Sequence, residues 1–446
     1  MAVWIKSPLA ILAEDAQGGV VVDGSRIVEI VPRGGAPRRR VEEIFDAGEH
    51  VVLPGLINTH HHFYQTLTRA YRPALDKGLF DWLTALYPVW GRMEAEGFRL
   101  ATRLAMTELM LSGCTTAVDH HYVFPAGLER AVDIQMEEAA RLGLRVVLCR
   151  GSMDLSVENG GLPPRHVTQD VDTILRDCER LVARWHTRDD GAMTQIALAP
   201  CSPFSVSADL MRETAALADA LDVRLHTHLA ETEDENRYCT ERFGVRPLEY
   251  VARLGWLSGR AWFAHGVHFT PEEMRQLGAA GAGIAHCPSS NMILGSGVCQ
   301  PAALEACGAA VGLAVDGSAS NDASNLAQEM RQAFLLQRAA RGVAAVSHGD
   351  ALRWATAGSA RCLGRADIGR IAPGLQADLA LFRLDELRFS GFDDALAAIV
   401  VCGAHRVDRL MIAGRWRADG GRIEGLDLEQ LRRDHQQAAR RMHGGH

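Results

Sequence analysis

From residue 56 to residue 368 the chain keeps one rhythm, in which short apolar runs alternate with helical stretches. The runs include Thr116–Val118, Arg145–Leu148, Ile196–Leu198, Val223–Leu225, Trp262–Ala264 and Val311–Val315. Glu96–Leu111, Asp170–Trp185 and Ala208–Leu221 are examples of the helical stretches. Strands that alternate with helices in this way pair in parallel, with the helices covering the sheet. Over roughly 300 residues the closed form of such a sheet is a (β/α)8 barrel of TIM type, so the expected fold class is α/β.

The two ends read differently. Gly19–Pro32 holds two β-branched runs around Asp23-Gly24-Ser25, a hairpin signal, and a further run ends at Val51-Val52-Leu53. The same texture returns in Gln376–Leu384 and around Ile399–Trp416, with turns at Gly403 and Gly414. Residues 1–55 and 369–426 are therefore expected to pair into one small β-sandwich, and residues 56–368 to form the barrel. Asp427–Met442 reads as an amphipathic surface helix, so 427–446 is a C-terminal helix and tail.

Composition narrows the function. Hydrophobic residues make up 47% of the 446 and charged ones 23%, the balance of a globular protein rather than of a disordered chain or coiled coil. The formal net charge of −8 argues against nucleic acid as a partner, since phosphate binding calls for a basic field. No apolar run reaches the ~20 residues of a membrane helix, and the N-terminus lacks the pattern of a signal peptide. The ten cysteines contain no C-x-x-C pair and predict reduced, mostly buried thiols in a cytoplasmic setting. Lys6 and Lys77 are the sole lysines, and neither is placed for a Schiff base or a phosphate loop.

Catalytic groups of a barrel sit at the C-terminal ends of its strands, and here those positions are rich in histidine. Leu56–Thr59 runs into His60-His61-His62, where alternation puts His60 and His62 on one face, an arrangement suited to a divalent metal. His228 follows a second apolar run, with Glu231 three residues on; His265 ends a third and Asp316 a fourth. Each fragment alone reads equally well as a polar strand terminus. Four in barrel order, all with metal-compatible side chains, make coincidence a poor explanation.

PGLINTHHH (Pro54–His62), HLAE (His228–Glu231), FAHG (Phe263–Gly266), AHCPSSNMILGSG (Ala285–Gly297), AVDGSASND (Ala314–Asp322) and APGLQADLALF (Ala372–Phe382) span most of the chain. In that combination the sequence resembles the amidohydrolase superfamily, in its branch of deaminases and triazine hydrolases. The resemblance implies that His60, His62, His228 and Asp316 hold a divalent metal ion, with zinc expected and ferrous iron or manganese compatible. It gives Glu231 the role of proton shuttle and His265 that of polarising the bound water or the developing oxyanion. Asp316 would also orient the water and accept its proton. Members with two metals commonly bridge them with a lysine after the fourth strand. Gln195–Phe204 has none, which predicts one ion per chain.

The substrate implied is a small aminated heterocycle. Gln65, three residues beyond His62, has an amide that can pair with the lactam edge of such a ring. His121, at another strand end, is a second candidate contact, and Phe63, Tyr64, Trp82, Tyr87 and Trp90 are candidate walls. Asn58–Leu83 looks most like the 8-oxoguanine deaminases, which implies conversion of 8-oxoguanine to urate and ammonia. Guanine, isocytosine, cytosine and triazines stay open as rings, and loss of chloride or an alkylamine from a triazine as the alternative reaction. The short nucleoside-deaminase signature is absent. A non-enzymatic barrel scaffold would be expected to have lost some of these six residues, all of which are present. Family resemblance also implies a homo-oligomer, while the net charge and the lack of a long apolar run leave neither nucleic acid nor membrane as an expected partner.

Overall fold

The computed structural model describes residues 2–444. At its centre eight parallel strands pair in chain order: β1 (Leu56–Asn58), β2 (Cys114–His121), β3 (Arg145–Ser152), β4 (Thr194–Pro200), β5 (Arg224–Leu229), β6 (Ala261–His265), β7 (Gly283–His286) and β8 (Ala310–Leu313). Backbone bonds close the ring between β8 and β1, from Thr59 N to Leu313 O (3.1 Å) and from Asp316 N to His60 O (3.2 Å). The helices expected from the sequence lie over Ala95–Leu111, Val171–Trp185 and Ala208–Leu221. Asp170 and Ser207 start the last two by accepting hydrogen bonds from backbone N–H groups of the first turn.

Small residues fill the lower part of the barrel. Ala197, Ala199, Ala285 and Cys149 pack there with Ile57, Val118, Val147 and Trp262, leaving width above them for imidazole rings. The helix Ala357–Cys362 plugs the N-terminal end, adding Ala360 and Cys362 to the same cluster. Gly312 permits this approach, because a Cβ there would lie 2.5 Å from Thr59 Cγ2 and 3.0 Å from the Ser359 side chain.

Both chain ends build the companion β structure. Ala2–Lys6, Gly19–Asp23, Arg26–Val31 and Glu43–Asp46 form a four-stranded sheet; Ala10–Ile11, His50–Pro54, Leu379–Arg383, Arg409–Ile412, Arg415–Asp419 and Arg422–Ile423 form a six-stranded one. Ile5, Val20, Val22, Val52, Leu379, Leu381 and Met411 meet in a shared core. The hairpin turns at Gly24-Ser25 as expected. Strand texture near Ile399 misleads, however. Asp394 caps a helical turn over Ala395–Ala398, which continues through Ile399–Gly403 and buries Ile399 and Val400 against the helix Leu326–Arg341. Burial on that helix outweighs the β preference of the Ile-Val-Val run.

The C-terminal helix, Leu428–Met442, packs on the short 3-10 turn Phe63–Thr68 that follows β1. His435 Nε2 lies 3.0 Å from Thr66 Oγ1, and His443 Nε2 lies 2.8 Å from Leu67 O. All ten cysteines are free, eight of them buried, and no described helix is long and apolar enough to cross a membrane.

Candidate active site

Three imidazoles converge where β1 and β5 end, and their outer bonds fix which nitrogen each presents. His62 Nδ1 lies 2.7 Å from His120 O, and His228 Nδ1 2.7 Å from Cys201 O. A carbonyl only accepts, so both Nδ1 atoms carry hydrogen and both Nε2 atoms point inward. His60 Nδ1 lies 2.7 Å from His226 Nε2, while His226 Nδ1 lies 2.8 Å from Trp262 O. The same logic makes His60 Nδ1 the donor and leaves its Nε2 as a lone pair.

That lone pair is buried with no hydrogen bond, and so is Asp316 Oδ1. Asp316 Oδ1 lies 3.2 Å from His60 Nε2 and 3.3 Å from His62 Nε2, and His62 Nε2 lies 3.1 Å from His228 Nε2. Inward lone pairs at such distances repel unless a cation sits among them. Burial works against charge on His62, but the Asp316 carboxylate outweighs it and raises the pKa of that ring. Burial lowers those of His60 and His228, to about 3 for His228. Three inward imidazole nitrogens and one carboxylate, held by outer hydrogen bonds, are a donor set that fits a divalent metal ion.

Asp316 and His265 both have left-handed backbone conformations, φ +61° and +74°. For residues other than glycine this costs ~1 kcal/mol each and is held in place by the surrounding fold. Ser290 Oγ donates to Asp316 Oδ2 at 2.6 Å, and Ser320 Oγ lies 3.3 Å away. Burial opposes ionisation of Asp316, yet the adjoining His60 and His62 keep its carboxyl well below the usual range.

Glu231 has the opposite disposition. Burial pushes its carboxyl well above the usual range, and the negative Asp316 adds to the effect. Its backbone N–H donates to Glu235 Oε2 (2.9 Å) and that of Ala230 to Glu235 Oε1 (3.0 Å), which ties down the turn after β5. His265 Nε2 lies 3.5 Å from Glu231 Oε2 and 4.0 Å from Asp316 Oδ2, while its Nδ1 meets Asn291 Oδ1 at 2.9 Å. A proton donor and a proton acceptor thus face one imidazole.

A narrow cavity with a free volume of about 30 Å³ lies above these groups. Gln65 lines it together with Trp82, Tyr122, Cys201 and Phe204. Gly317 makes the Gln65 position possible, since a Cβ there would lie 1.9 Å from Gln65 Oε1. Phe63, Tyr64, Tyr87 and Trp90 are buried in the core and do not line the cavity. His121 does not line it either: ring centroids place it 4.7 Å from both Phe98 and Phe124, on the face of β2 opposite His120.

Several contributors went unread in the sequence. His226 repeats at 226 and 228 the alternate-histidine spacing of 60 and 62, which was a usable signal. Ser290 and Asn291 lie inside the AHCPSSNMILGSG stretch, but their partners appear only when β7 and β8 are placed side by side. Phe204 carried no local signal, whereas Tyr122 belongs to the Asp119–Tyr122 strand end that the sequence offers for contacts and does line the cavity.

A closed parallel barrel whose strand ends gather three histidines and an aspartate around one point, with a glutamate and a further histidine beside them, defines a metal-dependent hydrolase. The sequence model of the amidohydrolase family matches residues 51–417, and the chain belongs to that family. The 8-oxoguanine deaminase of Pseudomonas aeruginosa is 58% identical to it over 439 residues, covering 98% of each chain. The hydroxydechloroatrazine ethylaminohydrolase of Pseudomonas sp. (strain ADP) is 38% identical over 402 residues, 88% of this chain and 82% of the relative. Among solved structures, the atrazine chlorohydrolase of Arthrobacter aurescens TC1 complexed with zinc superposes with a TM-score of 0.92 at 30% identity, covering 98% of this chain and all of its own.

Proposed function

We propose that the protein is a hydrolytic deaminase that converts 8-oxoguanine to urate and ammonia. One observation carries the reaction type: at the floor of the cavity the carboxyls of Asp316 and Glu231 both face His265, the first held below the usual carboxylate range by the adjoining histidines and the second pushed above it by burial. His60, His62, His228 and Asp316 would hold one zinc ion. When bound, the ion supplies the Lewis acidity that makes water nucleophilic near neutral pH.

The chain's own groups handle the protons. Asp316 accepts one from the attacking water as the new C–O bond forms at the amine-bearing carbon. Glu231 gives its proton to the adjacent ring nitrogen, takes the remaining proton of the added hydroxyl and carries it to the exocyclic amine as the C–N bond breaks and ammonia leaves, after which the proton held by Asp316 returns to Glu231. His265 offsets negative charge on the incoming oxygen. Gln65 offers one amide donor and one acceptor to the ring edge, and Trp82, Tyr122 and Phe204 enclose its faces. The choice of ring rests on the deaminase that shares 58% identity, against 38% for the ethylaminohydrolase.

Ammonia release by the zinc-loaded protein tests this, across 8-oxoguanine, guanine, isocytosine, cytosine and an aminotriazine. A clear preference for 8-oxoguanine is expected. Preference for another ring would discard the substrate and keep the chemistry. No ammonia from any of the rings, with metal confirmed in the site, would overturn deamination.

A further inference from the structure

At the other end of the barrel, beneath the plugged N-terminal ends of β4, β5 and β6, lies a second cavity of about 450 Å³. Its walls carry Arg188, Arg224, Arg260 and Arg365 against a single carboxylate, Asp222. Two of the four arginines are neutralised. Arg260 pairs with Asp219 at 3.0 Å and Asp222 at 2.9 Å, and Arg365 with Asp367 at 2.6 Å. Arg188 and Arg224 make no ion pair among the described residues; Arg188 bonds only to Leu221 O.

Arg224 is the unusual member. Its single hydrogen bond runs from Nη2 to the carbonyl of Cys362 (2.9 Å), and its Nε is buried with no acceptor. The guanidinium lies over Trp262, 5.6 Å from the ring centroid. Its Nη1 rests where Gly364 has no side chain, since a Cβ there would be 2.4 Å away. Burial, with Arg260 nearby, holds its pKa below the ordinary arginine value. Arg224 is half-buried, and a cation withdrawn from water to that extent is normally paired, because the desolvation cost is otherwise uncompensated. An arginine held in place by an aromatic face and one carbonyl, with its Nη1 beside Gly364 of the cavity wall and given no acceptor among the described residues, is the usual recognition element for oxyanions.

We propose that this cavity binds a phosphate group, free or as the end of a small phosphate ester, with Arg224 as its deep contact and Arg188 at its rim. The volume exceeds that of inorganic phosphate, leaving room for the rest of an ester. The site lies at the opposite end of the barrel from the metal-ligand cluster and is independent of the substrate assigned there.

Isothermal titration of the metal-loaded protein at fixed ionic strength provides the test, with inorganic phosphate and ribose 5-phosphate as probes and acetate as control. Saturable binding of a phosphate probe with Kd below about 1 mM is expected, together with none of acetate. Arg224→Gln and Arg188→Gln should each weaken it at least about tenfold. Arg188 is exposed, so its substitution decides the matter even where Arg224→Gln fails to fold, and turnover in Arg188→Gln should match the wild type. Equal binding of both probes would assign the phosphate group itself, and binding of the ester alone would assign its larger portion as well. No saturable binding, equal binding of acetate, or binding that survives Arg188→Gln would overturn the proposal.

Discussion

His226 determines which nitrogen His60 presents: its Nε2 lies 2.7 Å from His60 Nδ1, and its own Nδ1 is held by the Trp262 carbonyl at 2.8 Å. The His226 ring also stacks on the Trp262 indole, centroids 4.3 Å apart and planes 13° from parallel. The relay runs from backbone to His226 to His60, and it points one lone pair at Asp316.

His226→Phe keeps a flat ring on Trp262 and removes the acceptor for His60. Zinc affinity, read by competition with a chromophoric chelator, should fall about 10- to 100-fold while the far-ultraviolet circular dichroism is unchanged. Affinity equal to the wild type would mean that His60 is oriented by packing alone.

Glu231 stands beside the converging nitrogens rather than among them, so its loss should separate chemistry from metal binding. Glu231→Gln retains the shape and cannot transfer a proton. We expect kcat to drop about 10²- to 10⁴-fold with zinc content unaltered. A loss below threefold would remove Glu231 from the proton path, and a loss of zinc would make it a ligand.

Much of this was legible in the sequence because barrel strands are short and each ends on the residue that faces the site. His60, His62, His228, His265 and Asp316 each follow an apolar run, and the structure brings them together. Legibility fails where contact depends on register between distant strands. The Ser290–Asp316 and His265–Asn291 bonds join groups 26 residues apart across the strand ends. It fails again at His121, where the orientation follows from the phase of β2 and no composition signal distinguishes inward His120 from outward His121. The Ile399–Gly403 turn has the texture of a strand, yet its β-branched residues are buried by a helix that the local sequence does not contain.

Gln65 and Gly317 form a steric couple at the cavity wall. Gly317→Ala would place a methyl group 1.9 Å from Gln65 Oε1 and so displace the amide. Both Gly317→Ala and Gln65→Leu should raise KM about tenfold, the equivalent of one hydrogen bond to the substrate, with less effect on kcat. The double variant should be little worse than either single one, a coupling of ~1 kcal/mol. Fully multiplicative losses would show that Gly317 acts on something other than Gln65.

Glu329 ties the strand-end loops together, accepting from Ser289 N (2.8 Å), Ser289 Oγ (2.7 Å) and Asn321 Nδ2 (2.9 Å). Burial nevertheless raises its pKa from 4.5 to about 7. Between those values the unfolded chain has released the proton while the folded chain still holds it, so rising pH favours unfolding. The residue's stabilising contribution is complete below pH 4.5, declines through the interval and is gone above about pH 7. Glu329→Gln cannot titrate. In urea unfolding of the zinc-loaded proteins, the wild type should therefore lose up to ~3 kcal/mol relative to the variant between pH 4.5 and 7.5. Taking the difference between the two proteins cancels the opposite pH dependence of metal binding, which is common to both. Parallel stability curves would show that the three hydrogen bonds keep Glu329 ionised throughout.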